Sequence, residues 1–459
     1  MKTMKYFWML GLALVAFNFT SCKDDDDEGS QTAPMTISKV YLENINDEEN
    51  KDREVDFARL GQLIRIEGSG FKGLKKILIN GYETYFNNAL MTDNNVWVTL
   101  NSETPVDKAD DDVRNTIQLV KDGTKLVYPF TIRAAAPSIT SVDNTLPMPG
   151  ETVTVYGTNL QETTKLTLPG GIEITSGIIS DEEGKFYSFT MPSGVSESGS
   201  ITSEGANGTA VTPAFFNEFR TYITNFDDKG GLGTWSATYG TEDLVDDPLG
   251  TGRGKVAMLV PNVKLDAGGL DKGANSLLWA TASDKAGEDD WSRMYSVVPA
   301  STNAADVAIQ FDIYCPEPWD LSGQLEISLQ NNLSNYGYGS GCTKYSSQYI
   351  NTATVWVPWF NKQDGTHAPF TTGERWQTIT IPMTAFGNYN PTEAPDVTFQ
   401  KICEDRLAGS YSNFLFLFVN ADLEDEDLGV KYESKLFNQK IYIDNLRVVP
   451  TAAVTVSDF

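Results

Sequence analysis

The sequence predicts an all-β protein built from several sandwich domains, and three observations support this prediction. Short runs of alternating apolar and polar residues, separated by Gly, Asn and Asp, recur from residue 35 onwards, which is the pattern of β-sandwiches. The same order of strands and turns occurs twice. No amphipathic helix of useful length interrupts the runs. At 459 residues, the chain is long enough for about three domains of ordinary size.

The composition excludes several classes of function. The net charge of −27 argues against nucleic acid as a partner, because phosphate binding needs clustered Lys and Arg. His367 is the single histidine, so a multi-histidine metal site is excluded, and no nucleophile-elbow sequence accompanies it. The cysteines lack CxxC spacing, so zinc and redox sites are not indicated. At most one disulfide can form among Cys315, Cys342 and Cys403, and we interpret them as free buried thiols.

Residues 1–21 have the layout of a secretory signal. Lys2 and Lys5 precede an apolar run that ends at small residues before Cys22, and this run is too short for an ordinary membrane span. The arrangement resembles a bacterial lipobox, in which the cysteine is lipidated and begins the mature protein, although Phe19 stands where leucine is usual. The alternative is plain signal-peptidase cleavage nearby.

Residues 22–34 form an acidic tether that contains the run KDDDDE at 23–28. Such a run is ordinarily a solvated segment. In lipoproteins of Bacteroidota, acidic residues beside the lipidated cysteine resemble the export signal for the outer face of the cell. The resemblance predicts a lipid-anchored protein of the outer membrane, exposed at the cell surface and attached to the membrane through its lipid alone.

Two successive segments, 35–134 and 135–219, share one internal repeat. The matching runs are LIRIEGSGF at 63–71 and KKILING at 75–81 in the first copy, with APSITSV at 136–142, PGETVTVYGTNL at 149–160 and KLTLPGG at 165–171 in the second. The repeat resembles the immunoglobulin-like IPT/TIG fold. We expect both modules to be spacers that hold the last domain clear of the membrane.

Residues 220–459 form the last domain, which contains seven of the nine Trp and twelve of the nineteen Tyr. It opens with YITNFDD at 222–228 and closes with IYIDNLRVV at 441–449. These ends resemble the jelly-roll β-sandwich of many carbohydrate-binding modules, whose first and last strands lie side by side and often share a structural Ca²⁺. Calcium prefers oxygen ligands, and the candidates are Asp227, Asp228 and Asp444. The alternative is that Asp444 satisfies backbone groups; no other cofactor is required.

Interior strands of this domain are predicted at 307–314, 325–329, 376–382 and 412–420. The run 325–329 reads as a half-buried strand, and 412–420 is apolar enough to be a central strand buried on both faces. Trp376 is predicted to lie in the core.

Aromatic and amide residues in Gly-, Asn- or Pro-rich contexts are the candidate ligand-binding residues. A flat ring can cover the apolar face of a pyranose while an amide bonds its polar edge, and each ring contributes on the order of 1 kcal/mol. The candidates are Trp291, Trp319, Asn332, Asn335, Tyr336, Tyr338, Tyr345, Trp356, Trp359 and Tyr389. Position by position, the alternative is that such rings are packing residues.

The order of the segments resembles that of the surface glycan-binding proteins of Bacteroidota polysaccharide utilisation systems, in particular the "B" type. A signal is followed by a tether, by two IPT/TIG-like repeats and by an aromatic sandwich. The resemblance implies non-catalytic binding of a plant-type β-glucan, xyloglucan above all, or of mixed-linkage glucan, β-1,3-glucan or β-mannan. It also implies a TonB-dependent transporter and companion glycan-binding lipoproteins as partners.

Two other functions are left open by the sequence. A glycoside hydrolase or lyase would need a carboxylate pair at a defined separation, and Glu288, Asp289, Asp290 and Glu317 lie near the aromatic residues. A protein-binding adhesin would use the repeated modules instead.

Overall fold

The computed structural model describes residues 34–43, 53–228, 243–259, 276–280, 289–329, 352–392, 394–408, 414–420 and 422–456. Regular structure in these ranges is almost entirely β-strand, so the prediction of an all-β, multidomain chain is confirmed. Contacts divide the chain into two units, 1–132 and 133–459. No helix among the described residues is both long and apolar enough to cross a membrane.

In the described ranges, the first module has ten strands that form two four-stranded sheets and one two-stranded sheet. The strands are β1 (Thr36–Leu42), β2 (Arg53–Glu54), β3 (Phe57–Arg59), β4 (Leu63–Ser69), β5 (Lys76–Ile79), β6 (Tyr82–Thr84), β7 (Asn95–Thr99), β8 (Thr116–Lys121), β9 (Thr124–Pro129) and β10 (Thr131–Arg133). Their orders are β2-β1-β4-β7, β6-β5-β8-β9 and β10-β3. Alternate residues of each central strand enter one core, as the period of two predicts.

An Asn-Gly turn closes the β5–β6 hairpin. Asn80 and Gly81 have φ values of 49° and 80°, and Ile79 pairs with Tyr82 across the turn. A two-residue hairpin needs positive φ at both central positions, which Asn and Gly adopt most readily.

The second module repeats this architecture with eight strands in two sheets. They are β11 (Ser138–Val142), β12 (Thr152–Thr158), β13 (Lys165–Leu168), β14 (Ile172–Ile174), β15 (Ile179–Ser180), β16 (Phe186–Thr190), β17 (Thr202–Gly205) and β18 (Gly208–Val211). The sheet orders are β11-β12-β16-β15 and β14-β13-β17-β18. In both modules the first strand carries a bulge where it pairs with the long strand that follows.

One glycine occupies the same place opposite the bulge in each module. A Cβ atom on Gly68 would lie 1.8 Å from the carbonyl oxygen of Thr36, and one on Gly157 would lie 1.9 Å from that of Ser138. Because the obstructing atom is backbone, a side chain cannot be accommodated unless the strands separate. The internal repeat therefore preserves a close backbone contact as well as a hydrophobic pattern.

We expect Gly157→Ala to lower the free energy of unfolding by about 1–3 kcal/mol, the usual cost of an overpacked site. Thermal or urea unfolding measures it. Gly199→Ala is the matched control, because its added Cβ would meet Pro169 at an ordinary 3.7 Å. Equal stability of the two variants would contradict the assignment of Gly157 as a steric requirement.

The described residues of the last domain form a sandwich of two large sheets with one short hairpin and one helix. Its elements are β19 (Tyr222–Thr224), β20 (Leu244–Asp246), β21 (Lys255–Leu259), β22 (Ser276–Ala280), β23 (Val307–Tyr314), β24 (Gln324–Ser328), β25 (Ala353–Trp356), β26 (Gln377–Pro382), α1 (Phe399–Ala408), β27 (Leu415–Val419), β28 (Leu423–Asp425), β29 (Val430–Tyr432) and β30 (Ile441–Pro450).

The six-stranded sheet has the order β20-β21-β30-β23-β26, with β19 also paired to β30. The domain's first and last strands therefore lie side by side, as the jelly-roll resemblance implies. The second sheet has the order β22-β27-β24-β25, which places β27 in its interior as predicted. The main core lies between the two sheets. Every residue of β24 is buried, so the prediction of a half-buried strand there is wrong.

The helix α1 was not predicted. Its inward positions are Phe399, Ile402, Cys403 and Arg406, all buried, at the i, i+3, i+4, i+7 spacing of an amphipathic helix. The last of these positions is occupied by a charged residue, so the apolar stripe in the sequence ends after one turn. The helix is amphipathic in space, but the sequence pattern is interrupted by a buried arginine.

A buried network of charges centres on Asp312 of β23. Its carboxylate lies 2.8 Å from a guanidinium nitrogen of Arg253 and 3.0 Å from one of Arg447. Thr378 and Asn445 also donate hydrogen bonds to it, at 2.9 and 3.1 Å. The side chains of Asp312 and both arginines are fully buried, so two cations share one anion that is also fully hydrogen-bonded.

The same arginines connect the last domain to the second module. Arg253 donates to the Glu151 carboxylate at 3.0 Å and to the Leu146 carbonyl at 3.1 Å. Arg447 donates to the Thr145 hydroxyl at 2.8 Å. Apolar contacts extend the junction, since Ala308 and Val449 join the hydrophobic core of the second module. The junction between these two domains is therefore a packed interface.

Candidate functional site

One end of the second sheet of the last domain collects the bases of three segments. Ala280 at the end of β22 pairs with Leu415 at the start of β27, and Leu415 pairs with Ser328 at the end of β24. Ser328 also pairs with Ala353, the first residue of β25. Segments 281–288, 330–351 and 409–413 lie outside the described residues, and all three are entered or left at this end. We call it the loop end.

A buried guanidinium holds the bases of these segments together. Arg406 donates to the Leu329 carbonyl and to the Asp289 carbonyl, both at 2.8 Å, and to the Asp289 carboxylate at 2.9 Å. Its charged carbon lies 3.7 Å from the centre of the Trp291 ring, a cation–π contact. Trp291 in turn lies 6.0 Å from the ring of Phe414. We call these five residues the loop-base cluster.

The loop-base cluster connects one residue from the boundary of each segment. Asp289 follows 281–288, Leu329 precedes 330–351, and Phe414 follows 409–413. Burial lowers the pKa of the Arg406 guanidinium, and the Asp289 carboxylate acts in the opposite direction. The arrangement therefore fixes the residue at which each of the three segments is joined to the described part of the domain.

Four of the predicted glycan-binding rings are core residues, so the prediction that they contact sugar is wrong. Trp291, Trp319, Trp359 and Tyr389 are at most 2% exposed. Their polar atoms are satisfied inside the domain by Asp289, by the carbonyls of Ser322 and Gly323, and by Asp405, in that order. A Gly- and Asn-rich context indicated surface loops, but these loops fold back over the sandwich and bury their rings.

The other candidates divide into two groups. Trp356 is half-buried on β25, where its ring packs edge-on against Phe311, Trp319 and Phe370. The remaining five, which are Asn332, Asn335, Tyr336, Tyr338 and Tyr345, lie in the segment 330–351 outside the described residues. Their contact with glycan stays a prediction.

The three carboxylates predicted to bind calcium do not form a ligand set. Asp227 accepts from the Lys255 amide at 2.8 Å, and Asp228 accepts from the Asn225 side chain at 2.9 Å. Asp444 is buried, and its carboxylate accepts from the Asn445 amide at 2.8 Å and from the Asn445 side chain at 2.9 Å. In the described ranges, no three His, Cys, Asp or Glu side chains are placed to hold a metal.

None of the described carboxylates considered for hydrolysis is placed as a catalytic pair. Asp289 is paired with Arg406, and Asp290 accepts from the Ser292 amide at the start of a short 3₁₀ turn. Glu317 is exposed, and Glu288 lies outside the described residues. Asp289 and Asp290 are therefore not a poised acid and base.

The two described cysteines are free buried thiols, as expected. Cys315 and Cys403 form no disulfide, and burial raises their pKa values to about 12 and about 11. Both stay protonated and unreactive at neutral pH, because the thiolate is the nucleophile. Cys342 lies outside the described residues. His367 bonds Asp320 at 2.9 Å as an ordinary loop contact.

Glu326 is a buried carboxyl that sequence reasoning missed. It lies in the middle of β24, 1% exposed, and neither of its oxygens has a hydrogen-bond partner in the part of the chain that the structure describes. Burial raises its pKa well above the ordinary glutamate value. The uncharged, protonated form is therefore favoured in the folded chain, and the unpartnered group costs stability. An alternating strand in the sequence gives no sign of this, since its polar positions normally face water.

We expect Glu326→Met to raise the free energy of unfolding by about 1–3 kcal/mol at neutral pH, the cost of an unsatisfied buried polar group. Because the folded-state pKa is raised, the wild type is most stable below the ordinary glutamate pKa and loses stability as pH rises towards the folded value. The gain from Glu326→Met should therefore be smallest near pH 4 and larger near pH 8. Urea unfolding at several pH values measures it, and a gain that shrinks with rising pH would contradict it.

The fold is that of a multidomain all-β protein in which a two-sheet sandwich follows immunoglobulin-like modules. The family described as "Surface glycan-binding protein B xyloglucan binding domain" matches residues 216–450, just over half of the chain. The chain belongs to this family.

Individual relatives are distant. An IPT/TIG domain-containing protein of Bacteroides ovatus is 24% identical over 219 residues, which are 45% of this chain and 43% of that protein; the chain thus spans less than half the length of this curated relative. The crystal structure of the surface glycan-binding protein PbSGBP-B from Prevotella bryantii is similar with a TM-score of 0.65 at 19% identity, over 92% of this chain and 100% of that one. SGBP-B from a complex xyloglucan utilisation locus of Bacteroides uniformis gives 0.47 at 18% identity, over 91% and 100%.

Proposed function

We propose that the mature chain is a cell-surface lipoprotein that binds a plant-type β-glucan, xyloglucan above all, without cleaving it. The observation that carries the proposal is the family match of residues 216–450 to a xyloglucan-binding domain. The loop-base cluster supports it, because it holds together the described residues that border three segments, of which 330–351 is rich in Tyr and Asn.

Glycan contacts in this proposal come from the segment 330–351. Tyr336, Tyr338 and Tyr345 stack on apolar sugar faces, and Asn332 and Asn335 bond the hydroxyl groups. Each ring contributes on the order of 1 kcal/mol, so several together reach micromolar binding. The segment begins one residue after Leu329, whose carbonyl Arg406 holds.

Lipidation at Cys22 and the acidic tether 23–34 place the domain at the outer face of the cell in this proposal. Many tethered copies then bind one polymer, and avidity compensates for modest affinity. The bound glycan is passed to a TonB-dependent transporter and to neighbouring glycanases. Cys22→Ser should abolish labelling of the protein by fatty acid in cells and release it from the membrane fraction.

Affinity electrophoresis of the mature chain tests the binding. Xyloglucan in the gel should retard the chain strongly, and mixed-linkage glucan, laminarin and glucomannan define the range of linkages accepted. Reducing sugar should not be released from the retarding polymer. Unretarded migration in all four gels would refute the proposal. Release of reducing sugar would show instead that the chain hydrolyses the polymer.

A further inference from the structure

A cleft of about 840 Å³ lies between the second module and the sandwich of the last domain. Five strands contribute to its walls: β11 and β18 from the second module, and β23, β25 and β26 from the last domain. Residues 451–456, which follow β30, complete it. Its volume lies within the range of about 300–1,000 Å³ that is usual for small-molecule sites.

The chemistry of the lining suits a neutral, hydroxyl-rich ligand. No lining residue is charged, in a chain of which 21% is charged and whose net charge is −27. Side-chain hydroxyls and one amide alternate with aliphatic groups around the walls. The polar members are Ser138, Thr140, Ser141, Thr145, Thr209, Gln310, Thr378, Thr380, Thr451 and Thr455. An anion would meet no cation here. Several of the polar groups already bond one another or the backbone, but no described residue bonds the hydroxyls of Ser141 and Thr209, and a purely apolar ligand would leave these two unpaired.

Four of the five strands around the cleft are sheet edges, and the fifth, the interior strand β23, contributes Gln310. Each of β11, β18, β25 and β26 is the outermost strand of its sheet. Edge strands present backbone N–H and C=O groups that the sheet does not use. A sugar hydroxyl both donates and accepts, so a wall that offers both kinds of group at short intervals matches a saccharide.

An indole ring contributes to the same cleft. Trp356, half-buried on β25, lines it beside Ile379 of β26. The N–H of this indole has no hydrogen-bond partner among the described residues, unlike those of Trp291, Trp319 and Trp359. A ring with adjacent hydroxyl groups is the combination that covers one face and one edge of a pyranose.

The walls are held in place before any ligand arrives. The Thr378 amide donates to the Asp143 carbonyl at 2.7 Å, the Thr145 hydroxyl donates to Gln310 at 2.8 Å, and Arg375 pairs with Asp143 at 2.7 Å. These bonds join the two domains directly beside the cleft. A preformed cleft binds without the cost of ordering its walls.

We propose that this interdomain cleft is a second, weaker glycan-binding site, which holds a short stretch of the same neutral β-glucan that the loop end binds. The inference rests on the proposed function. It gives the second module a part in binding beyond that of a spacer. A polymer held at two places on one chain dissociates more slowly than one held at either place alone.

The test counts binding sites on the full mature chain by equilibrium dialysis against a labelled xyloglucan oligosaccharide. The blocking variant is Ser141→Lys/Thr209→Lys. Both residues lie in the second module, away from the loop end, and no described residue hydrogen-bonds to either side chain. Thr99→Lys/Thr190→Lys adds the same charge at exposed strand ends outside the cleft.

The wild type and the control should bind at two sites of different affinity, and the blocking variant should retain only the tighter site. Retention in xyloglucan gels should weaken about two- to fivefold in the blocking variant alone. One site in the wild type, or two in the blocking variant, would overturn the cleft proposal and leave the proposed function intact. No site in the wild type would reject both.

Discussion

Replacing Arg406 by methionine is expected to lower the free energy of unfolding of the last domain by about 3–5 kcal/mol, the usual cost of breaking a buried ion pair from one side. The Asp289 carboxylate, 8% exposed, would lose its cation. The carbonyls of Leu329 and Asp289 would lose their donor. Methionine keeps the helix propensity and most of the volume, so the effect isolates the charge and its hydrogen bonds.

Urea unfolding followed by tryptophan fluorescence measures this change, because seven of the nine tryptophans lie in the last domain. Lys401→Met on the same helix is the control. Lys401 pairs with Asp405 at the surface with its side chain 55% exposed, and surface substitutions usually stay within about 0.5 kcal/mol. The double variant Arg406→Met/Asp289→Asn should recover part of the loss, since it no longer buries an unpaired charge.

The same substitution also tests the link between scaffold and binding. Under conditions in which Arg406→Met remains folded, retention in xyloglucan gels should fall, because the bases of three segments are no longer held together. Lys401→Met should bind as the wild type does. Unchanged stability in Arg406→Met would contradict the role of the loop-base cluster, and normal binding by a destabilised variant would separate the cluster from glycan recognition.

Asp312→Asn is expected to have a comparable effect and to lower the free energy of unfolding by about 3–5 kcal/mol. The substitution removes the carboxylate that lies between two buried arginines at the centre of the network. Shape is almost unchanged by this substitution, so packing losses do not contribute. The Arg253 and Arg447 side chains, both fully buried, cannot turn to water without disrupting the sheet. Glu151, 3.0 Å from Arg253, would compensate for one of them only in part.

Asp246→Asn is the matched control for Asp312→Asn. Asp246 pairs with Lys255 at 2.7 Å, but its side chain is 88% exposed, so water replaces the lost interaction and stability should be nearly that of the wild type. Because Arg253 and Arg447 also bond the second module, Asp312→Asn should destabilise that module together with the last domain. Limited proteolysis should then cleave both. Selective loss of one domain would contradict a packed junction.

Much of the fold could be predicted from the sequence, because the pattern that indicates a strand is formed by residues that are adjacent in the chain. The runs that became β5, β12, β23 and β27 alternate or are apolar throughout, and Asn80-Gly81 specifies its own turn. The repeated module is visible for the same reason. Local pattern determines these elements, and the structure follows the pattern.

The polar interior could not be predicted, because its members are far apart in the chain. Asp312 is 59 residues from Arg253 and 135 from Arg447, and Arg406 is 117 from Asp289. A single sequence gives no means of pairing them. Arg406 is also the reason that the helix α1 was not predicted. A charged residue in a sequence indicates an exposed position, so Arg406 interrupts the apolar pattern of the buried face.

The aromatic site candidates failed for a related reason. Composition distinguishes a loop from a strand, but it does not tell whether a ring in a loop points outward or folds back. Trp319 and Trp359 fold back, and backbone carbonyls bond their N–H groups. Trp356 has no such partner among the described residues and lines the interdomain cleft instead.

The most direct test of glycan binding at the loop end is a calorimetric titration of the mature chain with a xyloglucan oligosaccharide, beside the variant Tyr336→Ala/Tyr338→Ala/Tyr345→Ala. Tyr85→Ala, which removes a ring 83% exposed on the first module, is the control. We predict micromolar binding by the wild type and the control, and affinity at least about tenfold weaker in the triple variant, since each ring contributes on the order of 1 kcal/mol. Equal affinity of the triple variant and the wild type would contradict the account.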